Sequence, residues 1–284
     1  IIGDNFLELG INAGKTVIRD PYQQTFLLSA LNDLSLEKIE VPRDPTDLAK
    51  TFQGAIARFK QENIPIEKLE KFLEERKDSK EERIPYLKDF AKAYRAYEEF
   101  KLDKGLIDYG DMQLLALKLF EKHPDILKFY QGKYKYIIVD EFQDTDLIQL
   151  KILFKLAPTG NITIVGDDDQ SIYRFRGAYL TNVHEFREYY TKQGIKVKDI
   201  VLDTNYRCTR NIQTAATNLI KNNPDREDKK IVTKKDVGDL VAIEKYPTDW
   251  DQAFGIVNQI KDLIASGMNY EDIADRIDGF FEGW

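Results

Sequence analysis

The sequence predicts an α/β protein in which an all-helical segment leads into part of a parallel sheet. From about Tyr22 to Phe129, apolar residues recur at spacings of three and four, the period of amphipathic helices. After Lys135 the pattern changes to two short continuous apolar runs, YKYIIVD and NITIVGD, each ending in an acid and separated by the helix-like LIQLKILFKLA. Continuous rather than alternating apolar runs mark strands covered on both faces, so this order reads as β–α–β with parallel strands.

The helical text consists of QQTFLLSALNDL, DLAKTFQGAIARFKQ, IEKLEKFLEERK, YLKDFAKAYRAYEEFKLDKG and DMQLLALKLFEKH. Pro42 and Pro45 precede a helix whose N-cap is expected at Asp44 or Thr46, and Gly105 stands where a helix C-cap belongs. The charged run EERKDSKEER, residues 74–83, reads as a solvated helix end or loop. Downstream of the two apolar runs, a helical stretch precedes a third strand candidate, IKVKDIVLDTN. A helix from Asn211 to about Lys221, a turn at NNPDRED, a strand DLVAIEKY and a helix DWDQAFGIVNQIKDLIASG complete the expected order.

With 284 residues and 42% hydrophobic content the chain can bury a substantial core and is long enough for two or more domains. A single cysteine, Cys208, excludes an internal disulfide framework, and two histidines, His123 and His184, do not make a zinc cluster. Any metal is therefore expected to be hard and oxygen-bound. A net charge of −7 argues against holding nucleic acid by bulk electrostatics and leaves only a localised groove for it. Charged residues make up 32% of the chain, and no apolar run comes near the roughly 18 residues of a membrane span or forms a secretory h-region. A cytoplasmic protein without a membrane partner is the expectation.

The chemistry concentrates in IIVDEFQDTD, residues 137–146, where an apolar strand runs into four acids. Carboxylates cost solvation free energy at the mouth of a buried strand unless something compensates them. Ligands of open parallel sheets sit at the carboxyl ends of the strands, where Asp140 and Asp167 both fall. Asp140 followed by Glu141 suits a nucleotide hydrolase, the first acid serving Mg²⁺ and the second orienting and deprotonating a water. An acid pair after a strand also fits a simple cap on the next helix.

The surrounding motifs favour the hydrolase. DEFQD is followed by VGDDDQSIYRFRGA and then by LDTNYRC, and in that order the sequence resembles the UvrD/Rep/PcrA-like helicases of superfamily 1A. DEFQD resembles their motif II, GDDDQSIYRFRGA their motif III, and NYRC their motif IV, where the family usually has NYRS. Upstream, GLIDYGDMQLLAL resembles the family's GLxDFxDLL segment, and TVIRDPYQQTFLLSAL the region after motif Ia.

The resemblance implies a partial RecA-like P-loop NTPase sheet carrying an inserted all-helical subdomain and part of a second RecA-like lobe. Residues 1–133 would be the helical 1B-like subdomain, 134–204 the later half of 1A, and 205–284 part of 2A. It implies ATP and Mg²⁺ as cofactors, with Asp140 on the metal, Glu141 on the hydrolytic water and Gln170 on the γ-phosphate. Arg207 would reach the same phosphate as a charged fork, and Tyr206 would stack on adenine. Tyr173 and Phe175 would stack on single-stranded bases while Arg174 or Arg176 meets phosphate, Phe175 standing where most of the family has Trp. Taken singly, the same residues also fit a packed core, a loop cap or a surface ion pair. Gln143, Asp144 and Asp146 are expected to shape and cap the segment leading to the next helix.

Two departures qualify the resemblance. The nearest approach to a phosphate-cradling GxxxxGK[ST] loop is GINAGKT, residues 10–16, with three rather than four residues between its glycines and no strand before it, so Lys15 reads as a surface lysine. At the other end NYEDIA resembles the family's DIAVLxR segment, but DRIDGFFEGW then resembles motif V, which would bring Glu282 to the ribose. Residues missing between about Ala274 and Arg276, where a 2B insertion belongs, would explain that jump. Motifs I, Ia and VI have no match. The expected function is an ATP-dependent 3′→5′ DNA helicase of repair or replication, acting on single-stranded DNA and ss/ds junctions and inactive without its missing motifs. The alternative is a non-hydrolysing DNA- or partner-binding fragment, split or degenerate, awaiting a complementary chain or an accessory repair protein. A helicase–nuclease subunit of the AddA or RecB kind shares the motifs but would need a nuclease domain.

Overall fold

The computed structural model describes residues 1–5, 7–9, 16–170, 182–223 and 229–273, and divides into two units, Ile1–Ile200 and Val201–Trp284. In the first, β1 (Thr16–Val17) leads into helices α1 (Asp20–Asp33), α2 (Thr46–Gln61), α3 (Ile66–Glu75) and α4 (Arg83–Lys104). Their apolar stripes converge on one core that includes Leu27, Leu31, Phe52, Ile56, Leu69, Phe90 and Tyr94. Phe90 meets Phe52 edge-on, with ring centroids 5.6 Å apart, the geometry the ring quadrupoles favour.

Capping follows the sequence closely, with one shift. Gly105 ends α4 at φ 64°, a left-handed conformation that costs a residue with a Cβ more than glycine. Helix α2 has Pro45, not Asp44 or Thr46, at its N-cap position; Asp44 instead accepts from the Thr46 backbone N–H at 3.1 Å. Proline offers no side-chain acceptor, so the aspartate one residue earlier performs the capping.

Strand β2 (Leu106–Ile107) pairs in parallel with β1, and α5 (Tyr109–Lys122) follows. Helix α6 (Pro124–Lys133) extends an element that periodicity alone left unassigned, although proline at its first position and Asp125 in its first turn are ordinary start signals. Phe120, Tyr130 and Leu156 form a small core joining α5 and α6 to α7 (Leu147–Leu156).

The expected β–α–β unit is present, with one correction: its strands are not covered on both faces, since Ile138 is 76% exposed and Thr163 is exposed as well. β3 (Ile137–Val139) and β4 (Ile162–Ile164) pair in parallel, Val139 opposite Ile164, with α7 between them in sequence. The ladder continues past both strands, since Val165 N–H donates to Val139 O and Phe142 N–H donates to Val165 O. Helix α8 (Asn182–Lys192) adds Phe186 and Tyr190 to a core with Phe142 and Leu150.

The second unit holds β5 (Thr204–Asn205), α9 (Arg210–Ile220), β6 (Val232–Thr233) and α10 (Asp249–Ala265), with β5 and β6 parallel. Two strand expectations are corrected. Of IKVKDIVLDTN only the last two residues join a ladder, and DLVAIEKY, residues 239–246, forms no strand. Leu240 and Ile243 are each 86% exposed. An apolar run of this kind becomes a buried strand only where a neighbour pairs with it and layers cover both faces, and among the described residues it has neither.

Candidate active site

Strand β3 delivers Asp140 and Glu141 to its carboxyl end, where both are exposed. The chain turns sharply there. Glu141 adopts φ 49° and ψ 44°, one of two non-glycine residues with positive φ among those described. Left-handed backbone disfavours a residue with a Cβ, and such strain gathers at functional sites. The turn is held by Glu141 N–H donating to Asp140 Oδ1 at 3.0 Å and by one turn of 3₁₀ helix, Phe142–Asp144, whose Phe142 is fully buried. Asn182 fastens it from α8 by donating to Phe142 O at 2.6 Å.

Four residues then form a hydrogen-bonded relay between the two strand ends, three links in all, one of them through the Asp167 backbone. Gln143 Nε2 donates to Glu141 Oε2 at 2.7 Å, and Gln143 Oε1 accepts the backbone N–H of Asp167 at 3.0 Å. Gln170 Nε2 donates to Asp167 Oδ2 at 2.8 Å from a second 3₁₀ turn, Asp168–Gln170. Glu141 and Gln170, read from different motifs, are thus joined through Gln143 and Asp167. Gln143, expected only to shape the loop, is 5% exposed and is the central link. Its neighbour in the acid-rich run behaves as expected: Asp146 accepts from Gln149 N–H at 2.8 Å while Gln149 Oε1 accepts from Asp146 N–H, a complete capping box on α7. Burial pushes the Asp146 carboxyl up, opposed by the hydrogen bonds from Gln149 and Gln113.

The NYRC segment is built by a different device. Asn205 Oδ1 accepts the backbone N–H groups of Arg207, at 2.8 Å, and Cys208, at 3.0 Å, closing an Asx turn that leaves Tyr206 and Arg207 exposed. Asn205 Nδ2 donates to Gln213 Oε1 of α9, and Thr233 Oγ1 of β6 donates to Cys208 O. Lys234 Nζ lies 5.6 Å from the Tyr206 ring centroid, within cation–π range. Cys208 is half-buried and unbridged. Tyr173, Arg174, Phe175, Arg176 and Glu282 lie outside the described residues, as do Lys15 and the junction at Ala274–Arg276.

The GLIDYGDM segment supplies a charge cluster that sequence reading missed. Asp108 and Asp111 cap α5 reciprocally and also receive Lys60 Nζ from α2, at 2.6 Å each, and Lys101 Nζ from α4. Glu98 pairs with both lysines, at 2.8 and 2.9 Å. Burial alone would raise the Asp108 carboxyl, but Lys60 and Lys101 outweigh it and hold it at about 2. The cluster's carboxylates are thus matched by ammonium groups of the protein itself. A lysine in the last turn of an amphipathic helix normally marks solvent, so the available signal was the two aspartates at three spacing.

An open parallel strand pair with acids at its carboxyl end, tied across to the loop of the next strand, defines an α/β protein with the site arrangement of nucleotide-binding sheets. No helix among the described residues is long and apolar enough to cross a membrane. The UvrD/REP helicase N-terminal domain model matches residues 3–191, and the UvrD-like helicase C-terminal domain model matches residues 200–274. The chain belongs to the UvrD/Rep helicase family. Similar proteins include DNA helicase II of Haemophilus influenzae, 40% identical over 188 residues that cover 66% of this chain and 25% of that protein. ATP-dependent DNA helicase PcrA of Staphylococcus epidermidis is 34% identical over 268 residues, 94% of this chain and 34% of that protein. PcrA of Bacillus subtilis is 36% identical over 183 residues, 64% of this chain and 24% of its own length. The chain spans about a quarter to a third of the length of these relatives.

Proposed function

We propose that the chain contributes the metal- and water-handling half of an ATP-driven DNA motor that moves 3′→5′ along single-stranded DNA and opens ss/ds junctions in the cytoplasm during repair or replication. The observation that carries this reading is the relay Glu141–Gln143–Asp167–Gln170 beside an exposed Asp140. Residues 1–133 act as a 1B-like helical subdomain, 134–204 as the later half of 1A, and 205–284 as part of 2A.

Asp140 fits a Mg²⁺ accompanying ATP, because that ion takes hard oxygen ligands and keeps most of its shell as water and phosphate. When bound, ATP would supply the reactive phosphoryl group and Mg²⁺ would offset much of its charge. Glu141 holds and deprotonates the attacking water, and Gln170 contacts the γ-phosphate. Arg207 presents a permanently charged planar fork to the phosphate, and Tyr206 offers a face to adenine. Tyr173 and Phe175 would stack on bases while Arg174 and Arg176 would meet the DNA backbone, and Glu282 would reach the ribose.

No GxxxxGK[ST] loop occurs in the 284 residues, so hydrolysis requires that loop to be supplied in cis or in trans. This same observation favours the second reading, a non-hydrolysing DNA- or partner-binding piece that works with a complementary chain or accessory repair protein. Steady-state ATPase of the 284-residue chain with and without single-stranded DNA separates the outcomes. No turnover alone, with Glu141-dependent turnover in the protein that includes the loop, supports the motor; Glu141-dependent turnover by the chain alone overturns the requirement. No turnover in either, with retained DNA binding, supports the second reading.

A further inference from the structure

We infer that Gln143 is a positioning residue for the catalytic base, holding the Glu141 carboxylate in register with the loop after β4. This inference rests on the reading of Glu141 as the base. Gln143 is 5% exposed, and its amide makes one donated and one accepted hydrogen bond, to Glu141 Oε2 at 2.7 Å and from Asp167 N–H at 3.0 Å. The partners dictate the chemistry. An ionised carboxylate only accepts and a backbone N–H only donates, so the side chain between them must carry one of each. Glutamine does so at neutral pH, whereas an ionised glutamate lacks the donor, lysine lacks the acceptor and methionine lacks both strengths. The amide orientation is fixed by those same two partners.

The backbone around Gln143 is arranged for this contact. Glu141 sits in the left-handed region, and the Phe142 and Asn182 bonds hold the following turn against β4 and α8. On the other side Gly166 leaves room for the amide. A Cβ there would come within 2.8 Å of Gln143 Oε1 and 3.3 Å of the Gln143 and Phe142 backbone nitrogens, which cannot yield without disturbing the turn. The loop carrying Asp167 and Gln170 is therefore in hydrogen-bonded contact with the base, and a displacement of that loop moves the carboxylate that must meet the water.

The test uses ATPase kinetics of the complete, ATPase-active protein carrying Gln143→Met, Gln143→Glu, Gly166→Ala and, as control, Glu141→Gln. Misplacing a catalytic group by about an ångström costs up to about a hundredfold, so Gln143→Met and Gly166→Ala should each lower kcat about 10- to 100-fold with KM for ATP changed less than about threefold. Their combination should be no worse than the stronger single change. Gln143→Glu provides a readout that a merely structural role would not move. Protonated, the introduced carboxyl restores one donor and one acceptor; ionised, it repels Glu141. Its turnover should fall as pH rises through that ionisation, a descending limb absent from the parent protein. If Glu141→Gln abolishes turnover while Gln143→Met and Gly166→Ala keep kcat within about twofold and the Gln143→Glu profile overlays the parent's, the positioning role is overturned and the base assignment stands. If Glu141→Gln itself keeps full turnover, the base assignment falls and the inference with it. Should Gln143→Met fail to fold, Gly166→Ala and Gln143→Glu still decide.

Discussion

Lys60 Nζ and Asp108 Oδ2 meet at 2.6 Å, across 48 residues of sequence, with both side chains nearly removed from solvent. The pair anchors α2 to the start of α5, and Lys101 and Tyr97 of α4 complete the junction, Tyr97 by donating to Asp108 Oδ2 at 3.1 Å. Breaking a buried pair from one side leaves an uncompensated charge, which costs far more than the intact pair contributes. Lys60→Met should therefore destabilise the chain by about 3–5 kcal/mol. Pairing it with Asp108→Asn should recover part of that loss. Urea unfolding of the two single variants and the double gives the coupling energy; strict additivity would show that the two residues do not act as a unit.

The same aspartate sets an acid limit on stability. Asp108 has its carboxyl held at about 2, against an ordinary value of 3.8. Below the ordinary value the unfolded chain takes up a proton that the folded chain refuses, so stability is present above it and is lost as pH falls toward about 2. A shift of this size corresponds to about 2 kcal/mol. Lys60 has the opposite sign: burial lowers it, but Asp108, Asp111 and Glu98 together raise it well above its ordinary value, so its contribution persists below the ordinary lysine range and is lost only as pH rises through the raised value. Thermal midpoints between pH 5 and pH 2 should fall more steeply for the parent than for Asp108→Asn.

These contacts show where sequence reading stops. The helices α2 to α5 were legible because each buries a stripe of its own residues, and β3 and β4 because each is a short apolar run bounded by an acid, even though Ile138 is 76% exposed and the pair is not covered on both faces. Asp146 was legible as a cap because its partner Gln149 lies three residues away. Lys60 and Gln143 were not, since their roles depend on atoms from Asp108 and Asp167 that only the fold brings near. DLVAIEKY failed for the converse reason: its letters suit a strand, but pairing requires a neighbour that local text does not reveal.

The acids of DEFQDTD should separate by substitution. Asp146 is a buried cap whose carboxyl is pushed up by burial, so Asp146→Asn keeps an acceptor for Gln149 N–H and removes a desolvated charge. It should leave stability within about 1 kcal/mol of the parent, whereas Asp146→Ala should cost about 1–2 kcal/mol. Both should spare ATP turnover in the complete protein. A large kinetic defect in Asp146→Asn would move that residue from the helix cap into the site.

Glu141 should show the reverse behaviour. At φ 49° its backbone is strained, so Glu141→Gly should stabilise the fold by up to about 1 kcal/mol while removing the carboxylate proposed as the base. Glu141→Gln retains the strain and should cost turnover about 10²- to 10⁴-fold. Denaturation midpoints and single-turnover hydrolysis measured on the same preparations check both halves. Loss of stability in Glu141→Gly would mean that the left-handed turn is not strained by its side chain.

Asn205 offers a test of Arg207 that leaves the guanidinium intact. Its Oδ1 holds the N–H groups of Arg207 and Cys208, and its Nδ2 reaches Gln213, which in turn donates to Thr217 Oγ1 at 3.2 Å. Asn205→Ala opens the turn and frees the backbone that aims Tyr206 and Arg207. Asn205→Asp keeps the acceptor for the turn but faces Gln213 Oε1 with a second oxygen, so Gln213 must rotate and surrender Thr217. If Arg207 acts on the transition state, Arg207→Ala should lower kcat far more than it raises KM for ATP, and Asn205→Ala should follow the same pattern more weakly. Asn205→Asp should fall between Asn205→Ala and the parent. Should Asn205→Ala raise KM with kcat intact, the turn would serve nucleotide binding through Tyr206 rather than the chemical step through Arg207.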